Sequence, residues 1–323
     1  LGWFAGGPNP DHGLLAFRQV SEALGKTSWY LRALRDEGAM AENLARVLAS
    51  SRYAVDLLLR APQSVQLLAE PERIRPRTAE QITHEMRASA RRHSELEKAV
   101  GAIRAVRREE LLRLAMGDLL GEIQVDALGA GLSDVTSATI DAALEVASRG
   151  VDGLPPLAII AMGRWGGREL SYSSDADAIF VIADTDDPDA TRAALSAIGT
   201  LRRLLAQPGP DPALEIDVDL RPEGKGGPMV RTLSSYRAYY AKWASTWESQ
   251  ALLRAGVGAG DRELGAEFLA DVDVVRYPAD GLTARQLGEI RRLKARMEAE
   301  RMPRGTDPKR NVKLGPGGLS DVE

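Results

Sequence analysis

The sequence predicts an α+β fold that is mostly helical, with a small mixed sheet placed between helical segments. Apolar residues follow helical spacing through the first third of the chain, whereas three short apolar runs between residues 154 and 222 fit strands. Helical spacing returns in residues 235–256 and 283–302. The predicted sheet is therefore flanked by helices on both sides in the sequence.

The composition is that of an ordinary globular protein. The chain has 323 residues, of which 44% are hydrophobic and 27% charged, and its net charge is -4. This acidic balance argues against a nucleic-acid partner or an anionic membrane surface. The chain has no cysteine, so a disulfide framework, a thiolate zinc site and a cysteine nucleophile are excluded. We expect a cytoplasmic protein without a membrane span, and the two ends of the sequence suggest a piece of a longer protein.

The first predicted domain, residues 1–125, is helical. Residues 13–25 predict a helix that stops at Gly25, and residues 41–61 predict another that ends before Pro62. Residues 78–120 form a long, charged helical pattern with few breakers. Acidic residues alternate with the arginines of its 104–113 stretch, which we therefore interpret as a solvated face and not as a binding patch.

The second predicted domain, residues 126–270, contains the sheet, and residues 271–323 begin a further helical domain. The sheet domain opens with a capped helix and then alternates strands with one helix. The predicted order is helix 133–150, strand 154–163, strand 177–184, helix 187–209 and strand 213–222. The third strand alternates, with Leu214, Ile216, Val218 and Leu220 on one face.

Acidic residues stand at the ends of two of these strands. Alternation places Asp175 and Asp177 on one side of their strand, with α-carbons about 6.6 Å apart. Asp217 and Asp219 share a side of the third strand in the same way. If the two strands are neighbours, three or four carboxylates converge, and such hard oxygen ligands suit Mg²⁺.

Possible phosphate-binding residues surround these acids in the sequence. The segment "GRWGGREL", which contains the glycine pair, follows a strand and is expected to open a short helix, whose exposed amide groups could hold a phosphate. The segment matches neither the Walker pattern nor the dinucleotide pattern. Hydroxyls precede the acids, and two cations follow the third strand on a glycine-rich loop. The candidates are Gly166, Gly167, Ser173, Ser174, Arg221 and Lys225.

Each of these features also has a simpler interpretation. A lone pair of aspartates is commonly two solvated turn residues, a glycine pair is commonly a turn, and the loop after Pro222 also fits a charged hairpin. The combination of all of them is harder to ascribe to chance. It indicates metal-assisted attack on a nucleotide phosphate.

Residues 163–181 ("GRWGGRELSYSSDADAIFV") and 217–228 ("DVDLRPEGKGGP") resemble the nucleotidyltransferase domains of the glutamine synthetase adenylyltransferase family. That resemblance implies a DNA polymerase β-like core. It extends over nearly the whole chain, and "WESQALLRA" at 247–255 is similar to the C-terminal, adenylylating half of such enzymes. Two positions depart from the family pattern, namely Asp219 and Gly256, where a basic residue and an arginine are expected.

The resemblance also implies roles for particular residues. Asp175 and Asp177 would bind Mg²⁺, Asp217 would be the third carboxylate and Asp219 a possible further ligand. The implied reaction transfers AMP from ATP to a tyrosine of glutamine synthetase and releases pyrophosphate, and a PII signalling protein is the implied regulatory partner. Two alternatives stay open: phosphorolytic removal of AMP from glutamine synthetase, and a regulatory module that binds nucleotide or PII without turnover. A nucleic-acid polymerase is disfavoured by the acidic charge.

Overall fold

The computed structural model describes residues 2–36, 38–303, 305 and 307–322. The mostly helical α+β class is confirmed. Two 3-10 segments, Pro62–Ala69 and Pro71–Ile74, lie among the helices that precede the sheet. Those helices are α1 (Gly2–Ala5), α2 (Pro10–Leu24), α3 (Ser28–Asp36), α4 (Gly38–Ser50), α5 (Arg52–Arg60), α6 (Ala79–Ala90), α7 (Leu96–Leu120) and α8 (Val125–Ala147).

Two stretches predicted as continuous helical patterns are each divided into two helices. Ser51 separates α4 from α5, because its hydroxyl accepts a hydrogen bond from the amide of Ala54 (3.2 Å) and so caps the second helix. Residues 91–95 separate α6 from α7. This "RRHSE" linker contains no apolar side chain that could anchor a continuing helix to the core.

Helix α8 begins earlier than the predicted helix of residues 133–150. It starts at Val125, and Ser133 lies within it. The hydroxyls of Ser133, Thr136 and Thr139 each donate to the carbonyl four residues back, at 2.8, 2.9 and 2.6 Å. The hydroxyls of these residues donate to carbonyls within the helix, so these residues do not cap its N-terminus.

The sheet is mixed, as predicted, and the described residues give it five strands. Strand β1 pairs antiparallel with β2 on one side and with β5 on the other. The short strands β3 and β4 both pair in parallel with β2, one after the other along its second edge. The strands are β1 (Leu157–Ala161), β2 (Ala176–Ile182), β3 (Ile216–Asp217), β4 (Val230–Thr232) and β5 (Gly256–Gly260).

Further helices alternate with the strands and follow them. Short 3-10 segments occur at Gly224–Gly226 and Pro308–Arg310. No helix in the described part of the chain has the length and apolar character that crossing a bilayer requires. The helices are α9 (Gly163–Gly166), α10 (Pro188–Ala206), α11 (Leu233–Lys242), α12 (Thr246–Leu252), α13 (Arg262–Arg276), α14 (Ala284–Arg301) and α15 (Leu319–Val322).

The third strand is much shorter than the predicted run of residues 213–222. Only Ile216 and Asp217 pair with β2, and the chain turns at once. The Asp217 carboxylate accepts a hydrogen bond from the amide of Asp219 (2.7 Å), which takes that amide away from any strand ladder. Leu214, Ile216 and Val218 are nevertheless buried in one cluster, so the predicted alternation is confirmed for these three, and only Leu220 departs from it by packing with the cluster on the other face of the sheet.

The sheet lies between two apolar clusters. One face, which includes Phe180 and Ile182, packs on the large cluster formed by the N-terminal helices with α8 and α10. The other face, which includes Ile179 and Val181, packs on α11, α12 and α13. Alternation along β2 places Asp177 on this second face, at the end where the apolar cluster stops.

The arginines of residues 104–113 do not form the predicted solvated face. Arg104 and Arg107 are each only 6% exposed. Arg104 donates to the carbonyl of Gln207 (2.6 Å) and Arg107 to that of Pro212 (3.1 Å). The long helix α7 thus holds the loop between α10 and β3, which leads directly to the third carboxylate. The division into domains at 125/126 and 270/271 stays a prediction.

Candidate active site

Asp177 and Asp217 are paired residues on adjacent parallel strands. The β2–β3 register places Ala176 opposite Ile216 and Asp177 opposite Asp217. The amide of Ala176 donates to the carbonyl of Glu215 (2.9 Å), which fixes this short ladder. Asp175 precedes β2 and is exposed. The strand pairing therefore brings together the acids of two separate sequence segments, as the sequence led us to expect.

The charge environment of Asp177 shows how closely the acids are grouped. Burial raises the pKa of Asp177 to about 6, with further contributions from the negative charges of Asp175 and Asp217. The positive charges of Lys313 and Arg254 act in the opposite direction. Ionisation of this carboxyl is thus less favourable than in water, and positive charge bound nearby would favour the ionised form.

The donor chemistry of these acids fits a magnesium ion. Among the residues that the structure describes, no three acidic or histidine side chains are close enough to enclose a metal ion by themselves. Mg²⁺ commonly takes only one or two carboxylates and completes its shell with substrate phosphate and water. The all-oxygen donor set and the crowding of negative charge at Asp177 suit such an ion. Asp175, Asp177 and Asp217 as its ligands stay a prediction.

Gly163, which the sequence analysis did not single out, lies directly beside Asp177. Its φ angle is +52°, in the region that favours glycine. A Cβ atom at this position would lie 2.7 Å from Oδ2 of Asp177. A single glycine that follows an apolar strand and precedes the glycine pair was the sequence signal that could have identified Gly163.

The glycine pair Gly166 and Gly167 ends a short helix and does not open one. Helix α9 begins at Gly163, and the amides of Gly166 and Gly167 donate to the carbonyls of Met162 and Gly163, both at 3.0 Å. The "GRWGGREL" segment thus opens a short helix at Gly163, as predicted, and the amides of the pair donate within that helix. Phosphate binding by Gly166 and Gly167 stays a prediction. Their lack of side chains has another use: a Cβ at Gly166 would collide with the Arg254 carbonyl, and one at Gly167 would lie 2.9 Å from the Arg254 Cδ.

The segment between the glycine pair and Asp175 is held by α8. Arg168 has a φ of +59° and donates two hydrogen bonds to the carboxylate of Asp134, at 2.7 and 3.0 Å. The indole Nε1 of the buried Trp165 donates to the hydroxyl of Ser137 (3.0 Å). Both contacts come from α8, which therefore holds α9 through Trp165 and the start of the following loop through Arg168.

The two candidate serines differ in their surroundings. The Ser174 hydroxyl is 3.0 Å from the Ser171 hydroxyl and accepts from the Ser171 amide (3.3 Å), so it closes the local turn. Ser173 is exposed and has a φ of +59°. Ser173 is thus the more accessible of the two for a ligand.

The loop between β3 and β4 separates the roles of its charged residues. The Arg221 side chain is buried and donates to the carbonyls of Val218 (2.7 Å) and Gly227 (3.0 Å), so it braces the loop. Lys225 is exposed and lies 3.2 Å from the carboxylate of Asp219. Asp219 therefore faces this loop, whereas the charges of Asp175 and Asp217 raise the pKa of Asp177.

Glu248, in the "WESQ" segment, holds the same loop from the other side. Its carboxylate is buried and accepts hydrogen bonds from the amide of Glu223 (3.1 Å) and the hydroxyl of Tyr239 (2.8 Å). It also accepts from the amide (2.7 Å) and the hydroxyl (2.8 Å) of Ser245. With four donors this carboxylate is a structural group that ties α11 and α12 to the loop.

A mixed sheet that carries paired carboxylates at its strand ends, and that is covered by helices, is the arrangement of a nucleotidyltransferase-like core. A family model described as glutamate-ammonia ligase adenylyltransferase matches residues 41–271. The chain belongs to this family. The resemblance noted in the sequence is therefore confirmed at the level of the family.

Individual relatives match the entire chain but only a part of their own length. The chain is 62% identical over 323 residues to a protein of Cutibacterium acnes, covering 100% of this chain and 33% of the relative. It is 53% identical over 344 residues to one from Streptomyces coelicolor, and 48% identical over 335 residues to one from Mycobacterium tuberculosis H37Rv, covering 100% of this chain and 34% of each relative. All three are named bifunctional glutamine synthetase adenylyltransferase/adenylyl-removing enzyme. The chain thus spans about a third of the length of these curated relatives.

Proposed function

We propose that this chain carries the nucleotidyltransferase site that transfers AMP from ATP to a tyrosine of glutamine synthetase, releases pyrophosphate and so regulates nitrogen assimilation. The observation that carries the proposal is the pairing of Asp177 with Asp217 in register, with Asp175 close by, in a chain of this family. The names of the relatives support glutamine synthetase as the acceptor. A PII protein as partner and a cytoplasmic location stay predictions.

In the proposed reaction, a tyrosine hydroxyl attacks the α-phosphorus of ATP. A bond forms between the tyrosine oxygen and phosphorus, the bond to pyrophosphate breaks, and the hydroxyl proton is released. Mg²⁺, held by Asp175, Asp177 and Asp217, would offset the negative charge on the phosphates. Ser173 and Lys225, which are both exposed, would contact phosphate oxygens in this reaction.

The second candidate is removal of AMP from glutamine synthetase by phosphorolysis. The relatives are named for both activities, and this chain covers only part of their length. The same acids would serve: an orthophosphate oxygen would attack the phosphorus of the tyrosine-linked AMP, the bond to the tyrosine oxygen would break and that oxygen would take up a proton, and ADP would be the product. The similarity of residues 247–255 to the adenylylating half favours the first candidate.

The experiment that separates these functions follows labelled AMP in both directions. Purified chain is incubated with Mg²⁺, α-³²P-ATP and unmodified glutamine synthetase, and separately with orthophosphate and labelled, adenylylated glutamine synthetase. The test variant is Asp175→Asn/Asp177→Asn. The matched control is Asp186→Asn/Asp189→Asn, which changes two exposed acids at the start of α10.

The account expects label on glutamine synthetase with the unchanged chain and with the control, and none with the test variant. Release of labelled ADP in the second reaction alone would assign the chain to AMP removal. ATP binding without either reaction would favour a regulatory binding module. Equal labelling by the test variant would exclude the paired aspartates as the reaction site.

A further inference from the structure

A cation lies over the glycine pair, beside the acids of the proposed site. Arg254 follows α12 and precedes β5. A Cβ at Gly167 would lie 2.9 Å from its Cδ, and a Cβ at Gly166 would collide with its carbonyl. Gly166 therefore allows the Arg254 carbonyl to approach closely, as it does the carbonyl of Ala161, and Gly167 leaves space for the Arg254 side chain.

The Arg254 side chain interacts with acidic residues of two segments. Its Nη1 donates to Oε2 of Glu169 (2.9 Å), a residue of the loop that leads from the glycine pair to Asp175. Its positive charge also acts on Asp177 and lowers the pKa of that carboxyl, opposing the effect of Asp175 and Asp217. The Arg254 side chain is 31% exposed and the Glu169 side chain 61% exposed, so solvent and a ligand can reach both.

We propose that Arg254 binds the polyphosphate part of the nucleotide at this site, and that Glu169 holds the guanidinium in position until a phosphate replaces it. This inference rests on the proposed function, because the nucleotide must lie at Asp175, Asp177 and Asp217. The inference also gives the glycine pair a second role. The amides of the pair already donate hydrogen bonds within the helix, and the absence of side chains leaves space for Arg254.

The chemistry of the guanidinium suits this role. Its planar fork donates paired hydrogen bonds to phosphate oxygens, which are stronger than bonds between neutral groups. A triphosphate placed beside three carboxylates is repelled by them, so a fixed cation at the same place offsets part of that repulsion. The ion pair with Glu169 is largely exposed and contributes little stability, so a phosphate can displace it.

The test measures equilibrium binding of two ligands to the full chain by calorimetry in Mg²⁺. ATP carries the polyphosphate and AMP does not, so their comparison isolates the proposed contact. The variants are Arg254→Gln, Arg254→Lys and Glu169→Gln. The matched control is Arg203→Gln, which removes an arginine from an exposed ion pair with Glu97 between α10 and α7 (3.3 Å).

Arg254→Gln is expected to weaken ATP binding about 10- to 100-fold while changing AMP binding less than about threefold. Arg254→Lys keeps the charge but not the fork, and should fall between the two. Glu169→Gln should strengthen ATP binding, up to about fivefold, because it removes one acid that competes with phosphate for the guanidinium. The control should bind both ligands like the unchanged chain. Thermal melting of each variant establishes that it is folded.

Two results would overturn the inference. Unchanged ATP binding by the folded Arg254→Gln variant would show that the arginine does not bind phosphate, while the proposed function itself would stand. Equal weakening of ATP binding and AMP binding would mean that Arg254 maintains the shape of the site and does not contact the polyphosphate. Absence of ATP binding by the unchanged chain would instead remove the proposed function, and the role of Arg254 with it.

Discussion

Gly163 lies against Asp177 so closely that a single methyl group at position 163 would be 2.7 Å from Oδ2 of the carboxylate. The φ of Gly163 is +52°, so the backbone there also favours glycine. The turn after β1 and the Asp177 carboxylate on β2 are therefore closely packed against each other. This contact fixes the position of Asp177 from the side of the sheet where β1 ends.

Gly163→Ala should displace the Asp177 carboxylate and strain the backbone. We expect the free energy of unfolding to fall by about 1–3 kcal/mol and turnover to fall about 100-fold, because a small misplacement of a reacting group is costly. Chemical denaturation and the AMP transfer assay measure the two effects. Gly199→Ala, on α10 with nothing within 4 Å, is the control and should stabilise the chain by up to about 1 kcal/mol.

Asp177→Asn should lower AMP transfer about 100- to 1,000-fold, because it removes a charged group at the reaction site. Asp219→Asn is the informative comparison. Asp219 lies in the same acidic segment as Asp217, but its carboxylate faces Lys225. We expect it to cost less than about fivefold. Initial rates at saturating ATP test both variants, and comparable losses would mean that the acids act as one set of four.

The charge crowding at Asp177 makes a prediction about stability and pH. Its pKa is raised, mainly by burial and then by Asp175 and Asp217, to about 6, so the ionised form is disfavoured in the folded chain. The stability associated with the protonated form is complete below the ordinary pKa of an aspartate and is lost as the pH rises through about 6. The asparagine side chain of the Asp177→Asn variant cannot ionise. The variant should therefore become more stable than the unchanged chain as the pH rises through this interval.

After allowance for solvent screening, we expect the gain to reach about 1–2 kcal/mol at pH 7 without Mg²⁺. Thermal melting in a chelating buffer between pH 4 and pH 7.5 measures it. Added Mg²⁺ should narrow the difference by stabilising only the unchanged chain. A difference between the two proteins that does not vary with pH would contradict the account.

Arg107 should be essential for attaching α7 to the chain that leads into β3. Burial lowers the pKa of its guanidinium to about 10, which leaves it charged at neutral pH. Arg107→Ala would leave the carbonyl of Pro212 without its donor, at a cost of about 2–4 kcal/mol in unfolding free energy. Arg203→Ala, in an exposed ion pair, should cost about 0–1 kcal/mol. Equal losses in denaturation curves would show that the buried contact has no special role.

The parts of the fold that depend on local pattern were predictable. An apolar run bounded by proline and glycine predicted β1, and a second apolar run predicted β2, with Asp177 in it and Asp175 just before it. The nearness of Asp217 needed only one further assumption, that its strand is a neighbour of β2, and the register agrees with it. Helix ends were less predictable, because Ser51 and Ser133 look alike in sequence but only Ser51 caps a helix.

The parts that failed depend on contacts between distant segments. The arginines of α7 look like a solvated face until the loop after α10 supplies carbonyls for them. Arg254 lies 85 residues from Glu169 in the sequence, and no local pattern connects the two. The turn at Asp219 follows from a side chain that competes for a backbone amide, which alternation alone does not reveal.

The most direct test of the central claim is a crystal structure of the chain with Mn²⁺ and a non-hydrolysable ATP analogue, examined by anomalous diffraction. The account predicts a metal peak bound by Asp177 and Asp217, with Asp175 as a further ligand and the phosphates on the same ion. A nucleotide bound elsewhere, or ordered nucleotide with no metal at these aspartates, would contradict it.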